Sequence, residues 1–237
     1  MDAPKQNSVL IVAVSAAIVG LLIGIVASGV YFKSTTSTTE TTDSVKVSDS
    51  SAHKSAPMTD TKAANLRVLL NSLEREHVAL AATATRDGFS GNPDFKDAAA
   101  SLDNNSVALS QAIGSVYGDE ASKKFLAIWR SHIGFFVNYT VAAKKGDKAG
   151  MDKAVTDLNG YIDAISDFFS QANPNLTRDA VHSLVAQHVT LLKGAIDSYG
   201  AANYSDSFDK QHQASEQIGT IADAISGAIV KQYPAKF

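Results

Sequence analysis

The chain has 237 residues, of which 45% are hydrophobic and 19% charged, and it has no cysteine. That length holds one or two domains, and the missing cysteines exclude disulfides, thiolate metal sites, a cysteine nucleophile and a lipidated cysteine anchor. A formal charge of −3 argues against a nucleic-acid binder built on a basic face.

Residues 1–7 form a short polar tail. Residues 8–32 (SVLIVAVSAAIVGLLIGIVASGVYF) carry no charge. As a helix they would rise about 37 Å, enough to cross a ~30 Å hydrocarbon layer. Tyr31 and Phe32 stand where interfacial aromatics belong, with Lys33 after them. A transmembrane anchor is the reading favoured here. A cleaved signal peptide is the rival, with Val26-Ala27-Ser28 as its cleavage site, although the apolar run is longer than such peptides use. Ala16, Gly20, Gly24 and Ser28 recur every fourth residue, a candidate small-residue face through which two membrane helices would pack as a homodimer.

Residues 33–61 follow as a stalk. From Ser34 to Thr61, 15 of 28 residues are Ser or Thr. Few large apolar side chains are there to bury, so the segment is expected to stay disordered. Stalks of this kind hold a domain off a membrane, which places the carboxyl-terminal domain outside the cell. Lys5 before the span is balanced by Lys33 and Lys46 after it, so the charge rule for orientation is undecided.

Residues 62–237 are expected to fold as six helices. Beyond residue 60 only Pro93, Pro174 and Pro234 interrupt, and an internal proline costs a helix ~3 kcal/mol. The expected helices are 61–87, stopped by Gly88; 93–118, with Asn92 as N-cap and Pro93 in its first turn; 119–145, ended by Gly146; 147–172; 177–200, capped by Thr177; and 204–232. No alternation suited to strands is present.

His77, His132 and His188 are spaced by 55 and 56 residues, in the matching segments LEREHVAL, IWRSHIGF and LVAQHVTL. The helices that follow match as well. Leu102, Leu158 and Ile218 align, as do Ala108-Leu109-Ser110, Ala164-Ile165-Ser166 and Ala224-Ile225-Ser226. The pattern is three tandem αα-hairpin repeats, which must stack to bury their apolar stripes. They would form either an up-and-down bundle or a short stack.

Each histidine falls on an apolar stripe. The stripes are Leu66, Leu70, Leu73, His77, Leu80, Ala84; Phe125, Ile128, His132, Phe135, Tyr139; and Val181, Leu184, His188, Leu191, Ala195. His182 and His212 lie beside the stripes, as solvated residues. A buried imidazole needs partners; Asp103, Asn105, Ser106, Asn159, Asp163 and Asp223 are the candidates on the paired helices. The same three histidines are candidate metal ligands, because neutral imidazole is the commonest protein ligand for metals. In a bundle His77 and His132 would meet at one level, whereas in a translational stack the rings would lie ~10 Å apart and could not share an ion. Glu74-x-x-His77 has di-iron spacing, but Trp129 and Val185 replace the glutamate in the other repeats, which reads as coincidence.

The segments FLAIWRSHIGFFVNYT (125–140), ANPNL (172–176) and KQYPAKF (231–237) resemble a family of secreted or anchored, all-helical bacterial envelope proteins of poorly defined function, some of them labelled copper amine oxidase. The resemblance implies an envelope location. It implies no such oxidase activity here, since that chemistry needs a tyrosine-derived quinone beside three histidines in a large β-rich domain.

No phosphate loop, nucleophile elbow or zinc-protease motif occurs, and no cofactor is expected. The reading is a non-catalytic, membrane-anchored, extracytoplasmic binding or scaffold module, spanning the membrane once and engaging a protein or envelope partner, with no nucleic acid. The alternative is a metal- or haem-binding bundle that uses the core histidines.

Overall fold

The computed structural model describes residues 59–237; the anchor, its Ala16, Gly20, Gly24 and Ser28 face, and most of the stalk lie outside the described residues. Among the described residues no helix is long and apolar enough to cross a membrane. Six helices follow in order: α1 Lys62–Ser90, α2 Phe95–Tyr117, α3 Asp119–Lys145, α4 Lys148–Ala172, α5 Arg178–Gly200 and α6 Tyr204–Gln232.

Short polar side chains start most of them. Thr61, Asp147, Thr177 and Asn203 each accept a hydrogen bond from the backbone N–H three residues on, which satisfies an otherwise orphaned donor of the first turn. The first turn between helices departs from expectation. Gly88 does not end α1: the helix runs to Ser90 and closes on Gly91 at φ +79°, whose N–H reaches the Asp87 carbonyl. Asn92 is not the cap of α2 either. Its amide donates to the Asp87 carboxylate, and the chain turns through Pro93 to Asp94 before Phe95 begins the helix. A single residue, Gly118 at φ +89° and ψ 172°, joins α2 to α3, a conformation open almost only to glycine.

Successive helices are joined by one to five residues, so neighbours run antiparallel and α1, α3 and α5 run parallel. The chain is thus a bundle rather than a linear stack. Each helix packs on the next, α6 returns to pack on α1, and the three odd helices meet one another along the middle. Ion pairs clasp the junctions between hairpins. Arg130 grips Asp103 with two bonds of 2.7 and 2.8 Å, Arg178 bonds Asp163 and Asp167, and Arg67 closes the ring on Asp223.

The repeat is visible in the core. Leu102, Leu158 and Ile218 are all buried, as are Leu109, Ile165 and Ile225. The serines after these, Ser110, Ser166 and Ser226, are buried too, and each donates its hydroxyl to a carbonyl of its own helix. At one end of the bundle the carboxyl-terminal segment seals the turns: Gln232 donates to the Ala172 carbonyl, Tyr117 donates to Gln232 and Asn173 donates to Tyr117.

The stripes of the odd helices hold as read at −7, 0 and +7 from each histidine, but between those positions they shift by one residue. Leu73, Leu80, Ile128, Phe135, Leu184 and Leu191 are only half-buried. The residues that fill the axis stand at −7, −3, +4 and +7 from each histidine. Both stripes satisfy helical periodicity; the ring decides between them, because every odd helix is flanked by even helices on both sides, and one flank of the histidine faces a neighbour rather than the axis.

Candidate functional site: a buried histidine layer

These positions build five layers along the bundle axis, each with one residue from α1, α3 and α5. The outermost is Leu70, Phe125 and Val181, all buried. Next come Glu74, Trp129 and Val185, then His77, His132 and His188. Beyond the histidines lie Ala81, Phe136 and Leu192, and finally Ala84, Tyr139 and Ala195. The histidines are 1%, 2% and 4% exposed.

The expected partners do not serve them. Asp103, Asp163 and Asp223 are taken by arginines, Asn105 donates to the Leu73 carbonyl and to Glu76, Ser106 bonds its own helix, and Asn159 is exposed. The imidazoles face one another instead. His77 Nε2 and His132 Nε2 lie 3.5 Å apart, and the His77 and His188 ring centroids are separated by 6.3 Å. Tyr161 of α4 stacks on His132 at 4.4 Å, and the Trp129 ring stands edge-on to it at 4.8 Å. His182 and His212 lie outside this layer. They approach Asp163 and Glu216 on partly exposed surface.

Much of this polar surface is unanswered. Glu74 Oε2, His77 Nδ1, His132 Nδ1, both ring nitrogens of His188, Trp129 Nε1 and Gln217 Oε1 find no hydrogen-bond partner among the described residues. Each such buried atom costs about 1–3 kcal/mol when left unpaired. Gln217 of α6 donates its amide to the Leu184 carbonyl at 2.7 Å and lies beside His188.

Burial sets the protonation of the layer. It drives the His132 imidazole down to about 3 and that of His188 to about 4, and it holds His77 well below its ordinary value, with the neighbouring rings adding to the effect. All three are therefore neutral at physiological pH. The Glu74 carboxyl is pushed up to about 8 by the same desolvation, so it is largely protonated. Tyr161 is raised by burial and by Glu74.

Neutral imidazole is the form that binds metals. Two nitrogens on one tetrahedral ion at ~2.1 Å stand roughly 3.4 Å apart. The 3.5 Å approach of His77 and His132 matches that spacing and is long for a hydrogen bond between rings. Among the described residues no group of three His, Asp or Glu side chains encloses a single point as it stands. His188 is the one that would have to turn, and doing so would give up its approach to the Gln217 amide.

Two cavities flank the layer. One of about 20 Å³ lies on the Glu74 and His188 side, closed by Trp129, Tyr161 and Ile218. The other, about 70 Å³, runs from His77 and His132 toward Phe89, Phe95 and Tyr199 at the far end of the bundle.

The sequence pattern pointed to the three histidines and missed the rest. Glu74 was discounted because the other repeats lack it, yet Leu70, Glu74, His77, Ala81 and Ala84 follow steps of 4, 3, 4 and 3 and were readable as a core stripe. Tyr161 and Gln217 carried no such signal. No known family model, curated protein or solved structure matches the chain.

Proposed function

We propose that the domain is a non-catalytic binding module whose ligand is a divalent transition-metal ion, held by His77 and His132 through Nε2 and completed by His188 and Glu74. The observation that carries this reading is the 3.5 Å approach of two neutral imidazoles inside a layer of unpartnered polar atoms. Nitrogen and carboxylate donors without thiolate suit zinc, ferrous iron, cobalt or nickel rather than cuprous copper. An ion would neutralise the cost of this layer and draw the proton from Glu74. Flanking spaces of about 70 and 20 Å³ fit an ion and a few atoms rather than a macrocycle, which favours a bare ion over haem.

The same proposal keeps the anchor of residues 8–32 and the Ser/Thr-rich stalk, which support tethering the module once through the membrane with the bundle on the extracytoplasmic side of a bacterial envelope. Protease applied to intact cells then releases a soluble fragment beginning near residue 60; protection until lysis reverses the orientation.

The metal is tested on the full chain purified in detergent without chelator. Elemental analysis should return about one ion per chain, chelation should lower Tm, and His132→Leu should remove both effects. A ligand at 100 times its Kd stabilises by ~2.7 kcal/mol, well within the reach of a melting curve. The reading fails if zinc, ferrous iron, cobalt and nickel all leave Tm unchanged and none is retained stoichiometrically.

A further inference from the structure

We infer that the larger cavity binds a short-chain aliphatic monocarboxylate, its hydrocarbon end directed toward the histidine layer and its carboxylate held at the rim by Arg86 and Gln211. The inference goes beyond the metal reading and needs no ion. It rests on the walls of the cavity and on two polar side chains at its mouth.

The cavity arises where the repeat loses bulk. In the two layers beyond the histidines α3 supplies Phe136 and Tyr139, whereas α1 supplies only Ala81 and Ala84 and α5 supplies Leu192 and Ala195. Alanine at three of six axial positions leaves a space that starts at His77 and His132 and reaches Arg86, Gln211 and Tyr199. The residues at its inner end are buried, and those three are only half-buried, so they mark the mouth.

The interior suits hydrocarbon. Its hydroxyl protons are spent on backbone carbonyls: Thr85 donates to Ala81, Thr140 to Phe136 and Ser207 to Ala195. Ala84, Phe136, Leu192, Ala195 and Ile196 make up much of the remaining wall, and all are buried. A charge placed among them would lie unpaired, which is strongly disfavoured. The two imidazoles at the inner end are neutral and offer an anion no countercharge.

The rim is different. The Arg86 side chain leans back along α1, its Nε donating to the Ala82 carbonyl, and its guanidinium lies over the Phe208 ring of α6 at 5.2 Å. Arg67, Arg130 and Arg178 each hold a carboxylate, whereas Arg86 pairs with none among the described residues. Asp87, its neighbour in the chain, accepts from Asn92, and Asp206 of α6 accepts from Ser198 and Lys210. Gln211 stands three residues after Phe208 and shares its face of α6. The Gln211 side-chain amide also has no hydrogen bond among the described residues. Two guanidinium nitrogens and an amide N–H at one mouth form a donor set for a carboxylate, and Arg–carboxylate bonds are among the stronger hydrogen bonds in proteins. The Tyr199 hydroxyl is engaged with Ser90, so its ring, packed on Phe89 at 5.7 Å, contributes apolar surface beside the rim.

Size sets the length of the chain. The cavity of about 70 Å³ is roughly half of the ~150 Å³ cavity that accepts the six carbons of benzene, so about three carbons are enclosed and an acid of roughly four to six carbons reaches the rim.

The test uses the full chain in lipid nanodiscs after chelator treatment, with empty nanodiscs as the control for partition into lipid. Pentanoate is titrated by calorimetry, and the methyl resonances of Leu192 and Ile196 report on the cavity. Pentanoate should bind saturably and shift both sets of resonances, and n-pentanol, of the same length without the charge, should bind at least tenfold more weakly. Arg86→Gln should weaken pentanoate binding at least tenfold and leave n-pentanol unchanged. Ala195→Leu, which fills the cavity with Arg86 intact, should abolish the shifts; Ala84→Val serves if that variant does not fold. Three results overturn the inference: pentanoate binding unchanged in Arg86→Gln, n-pentanol binding as tight as pentanoate, or no saturable binding of butanoate, pentanoate and hexanoate. Because the protein is stripped of metal, none of these results bears on the ion proposed at the histidines, whose effect on Tm is a separate measurement.

Discussion

Acidification from pH 6.5 to 5 should destabilise the chelator-treated protein far more than its surface charges can explain. An unfolded histidine takes up its proton near 6.5, whereas in the fold His132 and His188 wait until about 3 and 4 and His77 also stays well below its ordinary value. Across this window the unfolded chain therefore binds more protons at three sites, and stability falls as pH falls. Glu74 acts in the opposite sense. Its folded value of about 8 lies above the ~4.3 of an unfolded glutamate, so the stability it contributes at low pH is lost as pH rises from about 4 to 8. Three histidines outweigh one glutamate below about 6.8, and Glu74 increasingly dominates the slope above it. The net loss from 6.5 to 5 is on the order of 3 kcal/mol, with a maximum at about 6.8 and a shallower decline toward 8. Urea titrations followed by circular dichroism at half-unit pH intervals measure the curve. His188→Leu should remove about a third of the histidine contribution, and Glu74→Gln should remove the decline above 6.5. A stability that is flat from 5 to 6.5 would refute the premise that the imidazoles are held neutral by burial.

Two further measurements probe the fold. Leu158→Ala and Leu102→Ala should each cost about 2–5 kcal/mol, because both leave a cavity at equivalent buried positions; losses below 1 kcal/mol at either in urea unfolding would deny that equivalence. Ala202 turns between α5 and α6 at φ +58°, where a side chain costs about 1–2 kcal/mol. Ala202→Gly should thus stabilise by roughly 0.5 kcal/mol after its own entropy loss, and a fall in Tm would show that the left-handed turn is not maintained in solution.

The hairpin repeat was legible because each repeat must bury the same face: Leu102, Leu158 and Ile218 are apolar for one shared reason, and local spacing reveals it. Helix ends marked by Gly146 and Thr177 were legible for a similar reason, since capping is local chemistry. Gly88 misled because a glycine can sit within a helix when a neighbour needs the room; an added Cβ would stand 3.1 Å from the Phe95 ring. The choice between Leu73 and Glu74 as the axial residue was not decided by periodicity alone, since both lie about one turn from His77, on either side of its direction. Only closure of α6 onto α1 settles it, through contacts of high sequence separation such as Arg67 with Asp223.

The departures from the repeat concentrate around the histidines. The layer at −7 is apolar in all three helices, as three equivalent hairpins would require. One step nearer, the layer holds an acid, an indole and a valine; one step beyond the histidines it holds an alanine, a phenylalanine and a leucine. A bundle shaped for stability alone has no use for a carboxyl at Glu74, whose burial costs more than any apolar residue of its size, nor for alanines that forgo contacts opposite Phe136 and Tyr139. Both features lower stability, and they flank the same three rings on opposite sides, one adding a donor and the other adding space.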